Sequence, residues 1–143
     1  MSEVFTTERR VEFCETDAAG IVHFSSYVRY MEQAEHRLWR DFDGSVMQRM
    51  DDGTHLGWPR VRVECDYRGV AKFEDVLAIS VCVLRLGEKS ATFGFEFENQ
   101  GRKIATGKLV TVCCRVQHGP ELESIAMPAR IRENLKRYLV APE

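Results

Sequence analysis

One long amphipathic helix set among segments with a β pattern limits the fold of this chain more than any other feature. Over residues 25–42 the apolar side chains recur at intervals of three and four, and most charged side chains fall on the other side. Ser25 or Ser26 is the expected N-cap, and Gly44 marks the expected end. Such a helix must bury its apolar stripe, so we expect it to pack on a sheet.

Several segments carry the alternation or the β-favouring composition of strands, namely residues 3–13, 61–67, 76–86, 91–98 and 103–116. In the second segment the predicted buried face consists of Val61, Val63, Cys65 and Tyr67. The third segment is apolar almost throughout, which predicts a strand covered on both faces. In the fourth segment, a phenylalanine stripe is expected in the core, formed by Phe93, Phe95 and Phe97.

The connections predict the order of the strands. Turns at residues 87–90 and 99–102 join the later strands as hairpins, so the last four strands are predicted to follow one another as a meander. Residues 43–59 are rich in glycine and predict a loop that holds one more helical turn. A second helix is predicted over residues 128–139, with a proline in its first turn.

This order of elements predicts an α+β fold, in which one antiparallel sheet curls round the long helix. A chain of 143 residues with 44% hydrophobic residues fits one domain, residues 1–143. An exposed sheet edge or face carrying residues such as Val81, Cys82 and Val83 would associate readily. We therefore expect a homo-oligomer, either a dimer or a tetramer.

Composition excludes several classes of function. The chain has 20 Lys and Arg against 22 Asp and Glu, with no basic cluster, so nucleic acid is not an expected partner. No leader or long apolar segment is apparent, which predicts a cytoplasmic protein without a membrane partner. The five cysteines form no C-x-x-C pair and are expected to be small core residues, and the four histidines lack metal-ligand spacing. No metal is predicted.

A glycine turn just before the long helix carries the chemistry that the sequence suggests. Asp17 lies in this turn, three residues before Gly20, and the helix begins a few residues later. A carboxylate can act as nucleophile or base, while free N–H groups at a helix N-terminus can hold an oxyanion. Taken alone, Asp17 could equally be a turn residue that binds backbone N–H groups. The full pattern favours an acyl-transfer site.

Residues 13–27, F-x-E-T-D-A-A-G-I-V-x-F-x-x-Y, resemble the motif of the hotdog-fold 4-hydroxybenzoyl-CoA thioesterase family. Residues 67–75, Y-R-G-V-A-K-F-E-D, are similar to that family's exit from its second strand. The resemblance implies a hotdog fold, an antiparallel sheet wrapped round a long central helix. It also implies an acyl-CoA thioesterase that needs no cofactor, since CoA is part of the substrate.

The resemblance also implies roles for single residues. Asp17 would be nucleophile or general base, and the main-chain N–H of Phe24 would bind the thioester oxygen. His23 is a secondary catalytic candidate near the thioester or the leaving sulfur. Contacts to the substrate are expected from Gly20, Tyr27 and Lys89. The last of these would bind CoA phosphates, often from the neighbouring subunit.

Two other functions fit the same fold. A hotdog hydratase or dehydratase would need a histidine paired with a carboxylate on the facing helix, and no H-x-x-x-P segment opens the helix here. A noncatalytic acyl-CoA-binding module would need only the pocket. The acyl group, the choice between CoA and an acyl-carrier protein, and the choice between nucleophile and base stay open.

Overall fold

The computed structural model describes residues 2–117 and 121–140. In chain order, the elements of these residues are β1 (Phe5–Arg10), a 3₁₀ helix (Phe13–Glu15), α1 (Ser26–Asp43), β2 (Gln48–Arg49), β3 (His55–Gly57), β4 (Arg60–Tyr67), β5 (Val76–Leu86), β6 (Ser90–Asn99), β7 (Arg102–Val112), β8 (Cys114–Val116), β9 (Leu122–Ser124) and α2 (Ala129–Lys136). The α+β class and the long helix are as predicted.

The main sheet has five antiparallel strands in the order β1-β5-β6-β7-β4. The predicted meander is therefore correct only for β5, β6 and β7. β4 pairs with β7 instead of β5, and β1 takes the position beside β5. The physical reason lies in the connection between β4 and β5. This connection pairs with the segment before α1, where the N–H of Val22 donates to the carbonyl of Ala71 at 2.8 Å. It therefore does not form a tight hairpin turn that would place β5 beside β4.

Helix α1 packs its apolar stripe on the inner face of β5, β6 and β7. The stripe is fully buried and includes Tyr30, Met31, Leu38 and Trp39. Opposite lie the phenylalanines of β6, at 0–2% exposure, which confirms the predicted core stripe. In β5, however, burial alternates, with Val81 and Val83 in the core and Cys82 on the half-exposed outer face. The prediction that β5 is covered on both faces is wrong, because no helix or second sheet among the described residues lies on its outer face.

Strand β4 differs most from its prediction. Val61, Val63 and Tyr67, predicted as a buried face, are exposed by 60%, 46% and 45%. β4 is an edge strand, paired on one side only, with β7. At its start, Arg60 turns towards α1 and binds both oxygens of the fully buried Glu35, at 2.5 and 3.1 Å.

A second, smaller sheet has the order β2-β3-β8-β9. It corrects two predictions: residues 43–59 contain the strands β2 and β3 instead of a helical turn, and the predicted strand 103–116 is divided at the buried Cys113. The N–H of Cys113 donates to the carbonyl of Lys89 at 2.6 Å, which turns the chain from one sheet to the other. The second helix is confirmed, with Pro128 before its first turn.

The cysteines are all free, but they do not share one environment. Cys113 and Cys114 are buried as predicted, whereas Cys65 and Cys82 are half-buried and Cys14 is exposed. Burial raises the pKa of the Cys113 thiol to about 11, so this thiol stays protonated at neutral pH. In residues 2–117 and 121–140, no helix is both long and apolar enough to cross a lipid bilayer.

Candidate active site

Asp17 lies in a small hairpin that leads directly into α1. The N–H of Asp17 donates to the carbonyl of Ile21 at 2.8 Å, and the N–H of His23 donates to the carbonyl of Glu15 at 2.8 Å. Gly20 closes the turn with a φ of +80°, in the left-handed region that favours glycine, and its N–H donates to the Asp17 carbonyl at 2.9 Å. The predicted glycine turn is therefore present, and it sets Asp17 and the helix start on one short hairpin.

The Asp17 carboxylate is half-buried and has one occupied oxygen. Oδ1 accepts the N–H of Ala19 at 2.9 Å and lies 3.4 Å from the nitrogen of Ile21. Oδ2 has no hydrogen-bond partner among the residues that the structure describes. Asp17 can thus be both a turn residue and a reactive carboxylate. Its Oδ1 binds the N–H groups of the turn, and this contact fixes the orientation of Oδ2.

The residue just before the N-cap of α1, Phe24, offers an unused N–H group. Ser25 is the N-cap, and its side chain caps no helix N–H. Nδ1 of His23 lies 2.7 Å from the Ser25 hydroxyl oxygen and 3.2 Å from the Ser25 nitrogen, so the His23 ring is held beside the helix start. The N–H of Phe24 finds no acceptor within residues 2–117 and 121–140. This amide lies at the positive end of the helix, which suits a developing oxyanion.

Tyr67 connects the edge strand to the helix start. Its hydroxyl donates to the carbonyl of Phe24 at 2.8 Å. Burial raises the pKa of Tyr67 to about 12, with a smaller contribution from Cys65, so the donor proton is retained over the neutral range. The ring of Tyr27 lies behind Tyr67 with centroids 5.2 Å apart and is itself buried, which raises the pKa of Tyr27 to about 12.

Glu15 is a residue that the sequence analysis did not single out. Its carboxylate pairs with Arg9 of β1 and accepts the Tyr30 hydroxyl of α1 at 2.9 Å. Its carbonyl accepts the Ser26 hydroxyl at 2.9 Å. The pKa of Tyr30 is raised, first by burial and then by this hydrogen bond. Glu15 thus connects the Asp17 hairpin to β1 and to α1. In the sequence, only its position inside the motif of residues 13–27 pointed to such a role.

Aromatic side chains surround the hairpin on the surface. Phe13 is 74% exposed and packs edge to face against the half-exposed Phe73, with ring centroids 5.8 Å apart. Phe24 is 66% exposed. Large exposed apolar groups that lie close together are typical of a surface that binds something.

The structure brings most predicted site residues together. Asp17, Gly20, His23 and Phe24 share the hairpin and the helix start, while Tyr27 lies behind them in the core. Lys89 is exposed in the turn between β5 and β6, about 33 Å along β5 from the hairpin end of the sheet. Within the described residues, no group of three or more His, Cys, Asp or Glu side chains could hold a metal ion.

An antiparallel sheet wrapped round a long helix is the hotdog fold, and the comparisons with known proteins agree with this fold. The sequence pattern of the thioesterase-like superfamily matches residues 11–135. The chain belongs to this superfamily, and it is an enzyme of the thioester hydrolase class.

Individual relatives cover most of the chain. It is 33% identical to a putative esterase of Aquifex aeolicus, over 92% of this chain and 98% of the relative. It is 31% identical to a 4-hydroxybenzoyl-CoA thioesterase of Pseudomonas sp. (strain CBS-3), over 63% of this chain and 64% of the relative. A crystal structure of a hypothetical Aquifex aeolicus protein superposes with a TM-score of 0.78 and 29% identity, over 92% of this chain and 98% of that one.

Proposed function

We propose that this protein hydrolyses an acyl-CoA thioester to the free acid and CoA at the Asp17 hairpin. One observation carries the proposal: an unpartnered carboxylate oxygen of Asp17 and an unpartnered N–H of Phe24 belong to the same hairpin and helix start, as far as the described residues extend. The name of the Pseudomonas relative supports CoA as the carrier.

In the proposed mechanism, the thioester oxygen accepts the Phe24 N–H. Asp17 Oδ2 then either attacks the carbonyl carbon, giving a mixed anhydride and releasing the CoA thiolate, or takes a proton from the water that attacks. Water hydrolyses the anhydride in the first route. His23, held beside the helix start by Ser25, is the candidate hydrogen-bond donor to the departing thiolate, which takes its proton from solvent. Both routes give the same products.

We propose further that the active form is a homodimer joined at β4. This edge strand carries exposed Val61 and Val63 and has no partner strand on its free side among the described residues. A two-fold axis pairs the two β4 strands antiparallel. Tyr67 lies at the end of β4 near the Asp17 hairpin, whereas Arg60 lies at the other end, where the Lys89 turn also lies. Antiparallel pairing brings the Arg60 end of one protomer beside the Tyr67 end of the other. The partner's Lys89 turn is thereby brought towards Asp17. The predicted phosphate contact of Lys89 is compatible with this dimer.

The test of the proposed function compares the parent protein with Asp17→Asn. Asparagine keeps an oxygen for the Ala19 N–H but removes the charge, so the hairpin should persist. We expect kcat/KM for thiol release from a panel of aromatic and aliphatic acyl-CoA esters to fall roughly 10²–10⁴-fold. Asp51→Asn, an exposed loop carboxylate, is the matched control and should leave the rate unchanged.

Equal turnover by Asp17→Asn and parent would refute the assignment. Tight binding of CoA esters without turnover by the parent would indicate a binding module. Reversible addition of water to an enoyl-CoA, with no free thiol, would indicate a hydratase. A cytoplasmic location and the lack of a cofactor stay predictions.

A further inference from the structure

A basic cavity lies where the end of β4 meets the turn between β6 and β7. Its volume is about 250 Å³. The lining includes three cationic side chains, Arg68, Arg102 and Lys103, together with Val70 and Asn99, and it contains no carboxylate. The whole chain has a net charge of −2, so the positive charge of this lining is a local feature.

The cationic charge of the cavity is only partly neutralised. Lys103 Nζ lies 3.0 Å from a carboxylate oxygen of Glu96, on the outer face of the sheet. Arg68 and Arg102 form neither an ion pair nor a side-chain hydrogen bond within residues 2–117 and 121–140. The nearby carboxylate of Asp75 accepts the Asn99 side-chain amide at 2.9 Å and is not part of the lining. Two guanidinium groups therefore remain available to an anion.

A short segment joins the cavity to the Asp17 hairpin. Val70 lines the cavity, and the carbonyl of the next residue, Ala71, accepts the N–H of Val22, which follows the Asp17 turn. Thr16, which precedes Asp17, forms an antiparallel bridge with Val22, so about two strand spacings of roughly 4.8 Å each separate the Asp17 turn from Ala71. One elongated ligand can therefore reach both places, with its reactive group at Asp17 and an anionic group at the cavity.

We propose that Arg68 and Arg102, assisted by Lys103, bind a phosphate group of the nucleotide part of a CoA thioester. The guanidinium fork matches the geometry of phosphate oxygens, and a concave site suits a compact anion better than it suits the flat surface of a carrier protein. The inference rests on the proposed function and deepens it, because it assigns recognition of the carrier to this chain's own residues. It is separate from the predicted contact of Lys89, which lies at the opposite end of the sheet.

The experiment compares the double variant Arg68→Gln/Arg102→Gln with the parent on two esters of the same acyl group. One is the CoA thioester, and the other is the N-acetylcysteamine thioester, which has no phosphate. For the CoA ester we expect KM to rise about 10-fold or more with kcat unchanged, because the lost contact is remote from the reacting atoms. For the N-acetylcysteamine ester both constants should stay as in the parent. Arg29→Gln, an exposed arginine on α1, is the charge-matched control.

Ionic strength supplies a second measurement. Added salt should raise KM of the parent for the CoA ester, and it should do so less in the double variant, since exposed charges are screened. An unchanged KM of the double variant for the CoA ester overturns the proposal. So does a loss confined to an acyl-carrier-protein thioester, which would make the ligand a protein surface. Failure of the proposed function gives a different result: the parent protein would then hydrolyse neither the CoA thioester nor the N-acetylcysteamine thioester.

Discussion

At the scale of single residues, Glu15 determines how firmly the Asp17 hairpin is held. The Arg9 guanidinium and the Tyr30 hydroxyl both bind its carboxylate, and the side chain is only 13% exposed. The catalytic candidates around it make mainly backbone contacts, so the hairpin depends on Glu15 for its side-chain links to β1 and α1. The N–H of Glu12 also donates to this carboxylate, at 2.7 Å, and a carboxylate with three donors at this depth stabilises the folded hairpin by more than a surface ion pair would.

Glu15→Gln should therefore loosen the hairpin without touching the substrate. We expect a loss of about 1–3 kcal/mol in the free energy of unfolding, since three hydrogen bonds to a charged group are weakened. We also expect a lower kcat with a smaller change in KM, because Asp17 is less well oriented. Denaturant unfolding and thiol-release kinetics measure these effects.

The matched control for Glu15→Gln is Glu8→Gln, which changes an exposed carboxylate of β1 that makes no side-chain contact in the described structure. If both variants kept the parent's kcat, Glu15 would have no positioning role. Partial recovery in Glu15→Asp would support such a role, because the charge returns on a shorter side chain.

At the scale of elements, the contact between α1 and β7 sets how closely the helix approaches the sheet. Met31 is fully buried and lies over Gly107, where an added Cβ would come within 2.8 Å of the Met31 sulfur and 3.3 Å of the Glu64 carbonyl oxygen. Glycine leaves room here for the flexible end of the Met31 side chain, and its backbone angles are not of the kind that only glycine adopts. The helix carries the oxyanion candidate at its N-terminus, so this packing also positions the site.

Gly107→Ala should destabilise the protein by about 1–3 kcal/mol through overpacking. Met31→Leu removes the atoms nearest the new methyl group, so the double variant should lose less stability than the sum of the two single variants. Denaturant unfolding of all four proteins measures the coupling, expected at about 0.5–3 kcal/mol. Simple additivity would show that the two residues do not share this space.

At the scale of the whole molecule, the free edge of β4 is the surface on which the proposed dimer depends. The exposed valines on this strand are unusual for a strand whose sequence alternates so regularly, and a second copy of the chain would bury them. In one protomer Lys89 and Asp17 lie at opposite ends of the sheet, so the predicted phosphate contact of Lys89 requires the proposed partner.

Val63→Lys should weaken the dimer, since a charged side chain on an edge strand opposes pairing. We expect sedimentation to show a monomer at concentrations where the parent is a dimer, and thiol release should fall with the loss of dimer. Leu122→Lys changes a similarly exposed apolar residue on β9 and should leave both properties unchanged. A parent that is fully active as a monomer would contradict the shared site.

The features that could be predicted from sequence are those with a local cause. The periodicity of residues 25–42 predicted α1 within one residue at each end, since burial of one face requires that spacing. Gly20 and Asp17 formed the expected turn because their backbone and side-chain preferences act over a few residues. The phenylalanine stripe of β6 is buried because its alternation already matched a one-sided sheet.

Features that depend on contacts between distant segments of the chain could be seen only in the tertiary structure. Alternation in β4 showed two faces but not that the strand would lie at an edge, where neither face is fully covered. The Glu15 contacts and the pairing of Arg68 with Arg102 in one cavity join residues far apart in the chain. The sequence by itself thus determined the helices, most strand segments and the Asp17 turn. These features follow from local backbone geometry and from the burial of one face of each helix or strand. Strand order, the free edge and the basic cavity follow from long-range packing, in which the free energy depends on all the elements together.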